Sequence, residues 1–281
     1  MTRTIDLATE LAEGFALPPG GIPLEDLQRV TLSGTRAQWH ARHGIERHDD
    51  AMTRFVSTAY VACGMHSGDP VLLGRVVKDL AERGIAVGVH PSYPDVFGFG
   101  QRRVPMTPDE LRALLLYQFG AVSAVAKGAG TAMTSVKCHG ALGFDVSYDE
   151  AIAAIMADTI LRFDPSLTLV CMARSPGVAV ATNAGVKVAR EAYVDRGYDE
   201  NARIVPRNLP SALITDVDKA VAQALSIAEA GEVASVDGKV IPLEADTLCM
   251  HSDTPGADRI ATALRAALDR KGIQVRSCSS R

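Results

Sequence analysis

Residues 60–70, reading YVACGMHSGDP, restrict this chain more than any other stretch. An apolar run from Tyr60 to Cys63 stops at Gly64, then His66, Gly68 and Asp69 follow, and Pro70 opens a helix-like segment. Asp69 and Pro70 read as an N-cap and a first-turn proline. An apolar strand with this ending presents polar side chains at its C-terminal end, where α/β folds build their sites. The same order returns at VGVHPSYPD, SVKCHGALGFD and TLCMHSDTPGAD, so His66, His90, His139 and His251 each stand just past an apolar run. Four strand-end histidines in equivalent places argue for one shared pocket.

The rest of the chain alternates in the same way. Short apolar runs at 4–7, 60–63, 85–89, 135–138, 167–171, 186–191 and 247–250 read as strands. Helical segments at 70–82, 107–127, 149–161, 216–230 and 255–271 separate most of them, and Thr107 with Glu110 forms a capping box. VDGKV reads as a hairpin, and 273–275 as a closing strand. Crossovers of helix length favour parallel pairing. The expected fold is therefore α/β, a closed or nearly closed (β/α) barrel of about seven strands. A doubly wound open sheet is the rival. The barrel is preferred because polar residues follow almost every strand, not only those at one switch point. Residues 1–281 read as one barrel domain without a linker. Residues 17–50 read as a loop or lid insertion, with a turn at PPGGIP, a short helix at 24–30, and His40, His43 and His48 at no metal-binding spacing.

Composition removes several classes of function. With 47% apolar and 22% charged residues among 281, the chain can bury a sizeable core. A net charge of -4 gives no electrostatic case for nucleic acid or anionic membranes. No apolar run approaches membrane-spanning length, and the first residues lack the apolar core of a signal peptide, which points to the cytoplasm. Five irregularly spaced cysteines fit a reducing compartment. Cys63, Cys138 and Cys249 read as buried strand-end residues in preference to zinc thiolates. Dinucleotide-binding, P-loop, serine-elbow and HExxH patterns are all missing from the sequence.

Several other residues can carry chemistry. Asp6 begins an acidic cluster with Glu10 and Glu13, readable either as strand-borne acids or as a helix start. Lys137 lies two residues before His139 and so faces the same side, one layer deeper. A lysine there needs an acid partner such as Asp6, Glu10 or Glu13, and it either supplies charge to an oxyanion or carboxylate or is a structural salt bridge. Asp69 and Asp253 follow His66 and His251, where a carboxylate can orient an imidazole or share its ion. Arg196 in DRGY and Arg207 in VPR suit bidentate recognition of a carboxylate or phosphate. Tyr93 and Tyr198 could stack on a small ring or pack their loops.

The stretches IDLATELAEG, ACGMHSGDP, GVHPSYPD, LYQFGA, VKCHG, DRGY with VPR, and LCMHSD together resemble the 5-oxoprolinase A-subunit family, also called the LamB/YcsF family. The resemblance implies a seven-stranded β/α barrel of the glycoside hydrolase/deacetylase type. It implies a component that works with separate B and C partners to open 5-oxoproline to L-glutamate, or to open a related lactam, while hydrolysing ATP. It maps Asp6, His66, Asp69, His90, Lys137, His139, Arg196 and His251 onto motif positions. The departures are Ala8 for an Asn, Glu10 for an Asp, Ala12 for a Gly, Tyr60 for an Asn, Cys138 for a Pro, Gly143-Phe144 for Tyr-Asn, and Ser252 for a Gly. Because an Asn reads an amide's donor and acceptor together, these losses predict a pocket rebuilt for a different ring.

The expected catalytic residues are Asp6, Glu13, His66, Asp69, Lys137 and His139. The expected substrate contacts are Tyr60, His90, Phe144, Arg196 and Arg207. The candidates for a divalent ion (Mg, Mn or Zn) are His66, His139, His251 and Asp253. Two other functions compete with ATP-dependent ring opening: a stand-alone metal-dependent deacetylase or carbohydrate hydrolase, and a non-catalytic binding subunit.

Overall fold

The computed structural model describes residues 3–13, 49–207 and 209–280. The expected short helix at 24–30 and the three histidines at 40, 43 and 48 lie outside them. In chain order the elements are β1 (Thr4–Leu11), α1 (Asp49–Met52), β2 (Thr58–Ala62), α2 (Pro70–Glu82), β3 (Ala86–His90), α3 (Pro108–Gly128), β4 (Met133–Lys137), α4 (Gly140–Tyr148) and α5 (Glu150–Phe163). There follow β5 (Thr168–Met172), α6 (Pro176–Asn183), β6 (Lys187–Tyr193), α7 (Val217–Ala230), β7 (Glu232–Ala234), β8 (Val240–Pro242), β9 (Thr247–Cys249), α8 (Ala257–Arg270) and β10 (Gln274–Val275).

Strands β1 to β6 and β9 pair in parallel in that order, and β9 pairs back onto β1, so seven strands close a barrel. The expected barrel is the observed one. The doubly wound sheet is excluded by the closing register Asp6↔Thr247, Leu7↔Leu248 and Ala8↔Cys249. The hairpin β7–β8 stands apart, and β10 adds only to the start of β1 at Thr4↔Gln274. Among the described residues no helix is long and apolar enough to cross a membrane.

Alternation along each strand divides the core in two. Outward residues such as Leu7, Val61, Val89, Val136 and Leu169 join the large cluster beneath the helices. The barrel interior holds a second, small cluster of Ala8, Tyr60, Val170, Ala189 and Cys278. Tyr60 fills its centre and is fully buried. Gly88 makes this possible, because a Cβ there would lie 2.4 Å from Tyr60 Cδ1.

The helices start where the sequence places them. Asp69 accepts from the Val71 and Leu72 amides and caps α2, and Thr107 with Glu110 closes a full capping box on α3. One expectation needs extension. The first strand runs to Leu11 instead of stopping at 7, so Glu10 is a strand residue and the helix-start reading of the acidic cluster does not hold.

Candidate active site

A cavity of about 480 Å³ opens at the C-terminal ends of the strands. Lys137 and His139 reach it from β4, Glu10 and Glu13 from β1, Tyr193 and Arg196 from β6, and His251 from β9, with Phe144 and Arg207 at its walls.

Lys137 is its floor. The ammonium is buried and lies 2.8 Å from Glu10 Oε1, 2.8 Å from Glu191 Oε1 and 2.9 Å from Cys249 Sγ. The rings of Tyr60 and Tyr193 each lie 5.5 Å from it. Burial raises the Glu10 carboxyl, but Lys137 and then His90 outweigh that and hold it well below the usual carboxylate range. The expected acid partner of Lys137 is thus Glu10, joined by Glu191, which no sequence pattern singles out.

One wall gathers Glu13, His66, His90 and His139, whose ligating atoms all lie within 4.8 Å of one another. Glu13 Oε1 is 3.2 Å from His66 Nε2 and 3.2 Å from His139 Nδ1. His66 Nδ1 lies 2.9 Å from Ser92 Oγ, and its ring stacks on His139 with centroids 3.8 Å apart and planes 5° apart. His90 Nδ1 donates to Lys137 O at 2.7 Å, and His139 Nε2 donates to Phe99 O at 2.8 Å. Burial raises the Glu13 carboxyl, yet hydrogen bonds from His139 and His66 bring it down to about 2. Burial pushes His66 down to about 4, so it is neutral at pH 7. Burial also acts against the His139 cation, but Glu13 overrides it and His139 titrates above its ordinary value. The wall therefore sets one carboxylate among three imidazoles, with His66 driven down and His139 drawn up by its contact with Glu13.

The opposite wall is a dyad. His251 Nδ1 sits 2.9 and 3.1 Å from the two oxygens of the fully buried Asp195, which also accept from the His251 amide at 3.1 Å and from Thr254 Oγ1 at 2.5 Å. The His251 ring lies parallel to Tyr193, with centroids 5.4 Å apart. Burial opposes the charge on His251, and Asp195 more than compensates, so its pKa is raised. With Nδ1 held by Asp195, Nε2 is the nitrogen left to meet a ligand. Arg196 donates to Ala212 O at 3.1 Å and Val205 O at 2.7 Å. Burial and then Arg207 lower its pKa.

The cavity thus joins Glu13, Lys137, His139, Phe144, Arg196, Arg207, His251 and Asp253 from the expected set, with His66 and His90 directly behind. Three expectations fall elsewhere. Asp6 sits at the start of β1, accepting from Ser57 Oγ at 2.6 Å and Thr58 Oγ1 at 2.8 Å, four strand residues below Glu10. Asp69 caps a helix. Tyr60 plugs the barrel centre beneath Lys137 and lines no part of the cavity. Asp253 lines the cavity but is paired with Arg207 at 2.7 and 3.2 Å, and the expected ion-binding set of His66, His139, His251 and Asp253 is not brought to one point. Tyr93 and Tyr198 are packing residues, with Tyr93 Oη on Asp145 at 2.6 Å and Tyr198 Oη on the Tyr193 amide at 2.6 Å. All five cysteines are buried, and none is in a disulfide. Burial drives the thiols of Cys63, Cys138, Cys171 and Cys249 upward, which makes them inert.

Residues 39–281 match the model of the LamB/YcsF family. The chain is 43% identical over 229 residues to the A subunit of 5-oxoprolinase from Chloroflexus aggregans, covering 82% of this chain and 91% of that one. It is 40% identical over 275 residues to the A subunit of 5-oxoprolinase from Methylococcus capsulatus, covering 98% and 96%. Among solved structures, the lactam utilization protein from Thermus thermophilus superposes with a TM-score of 0.82 at 34% identity, over 97% of this chain and 99% of that one. A putative cellobiose-phosphate cleavage protein from Enterococcus faecalis matches at a TM-score of 0.54 and 10% identity over 100% and 99%, which is a likeness of fold alone.

Proposed function

The chain belongs to the LamB/YcsF family, and on that footing we propose that it is the A subunit of an ATP-dependent amidohydrolase that opens 5-oxoproline to L-glutamate, or opens a related lactam. The observation that carries this reading is the cavity itself. It has the size of a small-molecule site, and it sets an ammonium floor between two separate imidazole–carboxylate walls.

Hydrolysis of a cyclic amide needs charge at the carbonyl oxygen, a base for water and an acid for the ring nitrogen. Lys137 and Arg196 supply positive charge at the floor and side of the cavity. The His251 imidazole, oriented by Asp195, takes a proton from water at Nε2 when it is neutral. His139, whose pKa Glu13 raises, gives a proton to the departing nitrogen. Phe144, 43% exposed on the cavity wall, offers an apolar face to the ring's methylenes. ATP supplies the phosphoryl group that activates the amide oxygen. Separate B and C chains and a cytoplasmic location complete the proposal. The naming of the relatives as A subunits and five cysteines outside any disulfide support them.

The test combines the purified chain with its co-expressed partner chains, a panel of lactams and ATP, and measures ADP and amino-acid release. ADP release that requires a lactam and every partner chain is the expected result. Ring opening or deacetylation by the isolated chain without ATP would overturn it. That outcome would favour a stand-alone metal-dependent hydrolase, a reading to which the convergence of Glu13, His90 and His139 lends support.

A further inference from the structure

His90 and His139 face each other in an unusual way. Each spends its outer N–H on a backbone carbonyl, His90 Nδ1 on Lys137 O at 2.7 Å and His139 Nε2 on Phe99 O at 2.8 Å. A neutral imidazole has only one N–H. The inward atoms, His90 Nε2 and His139 Nδ1, are therefore lone-pair nitrogens in the neutral rings, and they lie 3.1 Å apart. The Glu13 carboxylate closes the triangle, with Oε1 3.2 Å from His139 Nδ1 and 3.8 Å from His90 Nε2. Three Lewis bases at such spacing call for a cation among them.

We propose that His90 Nε2, His139 Nδ1 and Glu13 form a three-ligand site for a divalent transition-metal ion, with the remaining position open to the cavity. Two neutral imidazoles and one carboxylate are a donor set that suits zinc, and bonds of about 2.0–2.2 Å place tetrahedral ligand atoms about 3.3–3.6 Å apart. The observed 3.1, 3.2 and 3.8 Å bracket that spacing. The two rings stand at 81° to each other, so their lone pairs can meet at one point. His66 cannot join them. Its ring is parallel to His139 at 5°, so an ion in the plane of one ring lies out of the plane of the other. His66 instead holds Glu13 from behind at 3.2 Å, with Ser92 on its other nitrogen. Glu10 Oε1 also lies 3.4 Å from His90 Nε2, nearer than Glu13, but at 2.8 Å from Lys137 Nζ it is held as the counter-ion of the ammonium. Glu13 and His139 line the cavity, which leaves the open position accessible to a small ligand. The site stands on these residues whether or not the ring-opening reading holds; with a metal on His139 Nδ1 and Nε2 held by Phe99 O, the proton for a departing nitrogen would come from another group or from water, not from His139.

The chain, stripped with a chelator and dialysed, is titrated with zinc chloride by calorimetry, and bound metal is counted by elemental analysis. One zinc per chain is expected. His139→Gln and Glu13→Gln should weaken binding at least 100-fold, His66→Ala by about 10- to 100-fold as a supporting residue does, and His251→Gln not at all. Should a ligand variant fail to fold, cobalt(II) added to the wild-type chain gives a second measurement, with intense visible absorption expected for a four-coordinate site. Absence of bound zinc, unchanged affinity in His139→Gln, loss of binding in His251→Gln, or a cobalt spectrum of the aqueous ion would each overturn the proposal.

Discussion

Replacing Tyr60 by asparagine decides whether this chain departs from the family pattern in its cavity or in its barrel centre. The structure puts both Ala8 and Tyr60 in the interior cluster, below Lys137. One large ring and one small methyl therefore take the space of the two asparagines of the family pattern. Tyr60→Asn removes roughly 80 Å³, which at about 24 cal/mol per Å³ of unfilled cavity costs ~2 kcal/mol. The new amide, sealed from water, adds about 1–3 kcal/mol. Urea unfolding followed by far-ultraviolet circular dichroism should thus show a loss of about 3–5 kcal/mol. Tyr60→Phe should cost almost nothing, because Tyr60 Oη has no hydrogen-bond partner among the described residues. Two second-site changes sharpen the test. Ala8→Asn refills part of the cavity and offers the amide a partner, so the double variant should recover ~1 kcal/mol or more. Gly88→Ala, whose Cβ would meet the Tyr60 ring at 2.4 and 2.5 Å, should cost about 1–3 kcal/mol alone and less beside Tyr60→Asn. A Tyr60→Asn protein as stable as wild type, with altered relative rates across a lactam panel, would refute the placement and return Tyr60 to the substrate.

Lys137→Met leaves Glu10 and Glu191 facing one another unpaired and should lower stability by about 3–5 kcal/mol, with part restored by adding Glu10→Gln; denaturant unfolding of both variants checks this. Asp69→Ala should cost about 1 kcal/mol through the lost cap on α2 and leave kcat of the assembled enzyme nearly unchanged, whereas collapse of kcat would restore Asp69 to the chemistry. The Asp195–His251 pair gives a pH signature. His251 titrates above its ordinary 6.5, so its contribution is full below that pH and is lost as pH rises through the raised value. Asp195 is lowered from 3.8, because His251 outweighs the burial that raises it, so its contribution is present above 3.8 and is lost as pH falls through the lowered value. The stability gap between wild type and His251→Gln should be widest between pH 3.8 and 6.5 and should shrink at higher pH. A gap that grows with rising pH in thermal melts would contradict the pairing.

Much of the barrel is written locally. The cap at Asp69, the capping box at Thr107 and the apolar runs before His66, His90, His139 and His251 are short-range signals, and the elements begin where those signals stand. What strand sequences do not carry is height in the barrel. Asp6 and Glu10 are alike as acids on one strand, yet one meets Ser57 and Thr58 and the other meets Lys137. Their separation depends on the register with β2 and β9, which is set by pairings far away in the chain. Tyr60 departs from expectation for the same reason, standing one layer too low to reach the cavity. Asp195 has a readable signal, since it follows β6 just as His251 follows β9. Beside Arg196 it looks like half of a loop salt bridge, and only the fold turns it toward His251. Glu191 carries none, because beside Lys187 and Arg190 it is one of three charged residues on a single strand.

The closure of β9 on β1 has a consequence for how the protein is made. Thr9 Oγ1 donates to Met250 O across 241 positions of sequence, and the Asp6, Leu7 and Ala8 partners in β9 are as distant. At roughly 5–20 residues per second, the first strand leaves the ribosome about 10–50 s before its neighbour exists. Through that interval β1 keeps a bare parallel edge, joined by β6 once it is made, and both are open to pairing with another nascent chain. Glu10 and Glu13 emerge first, Lys137 near the middle and His251 almost last, so the cavity forms only at the end of synthesis. Chains cut short before residue 247 should therefore aggregate instead of accumulating as folded fragments.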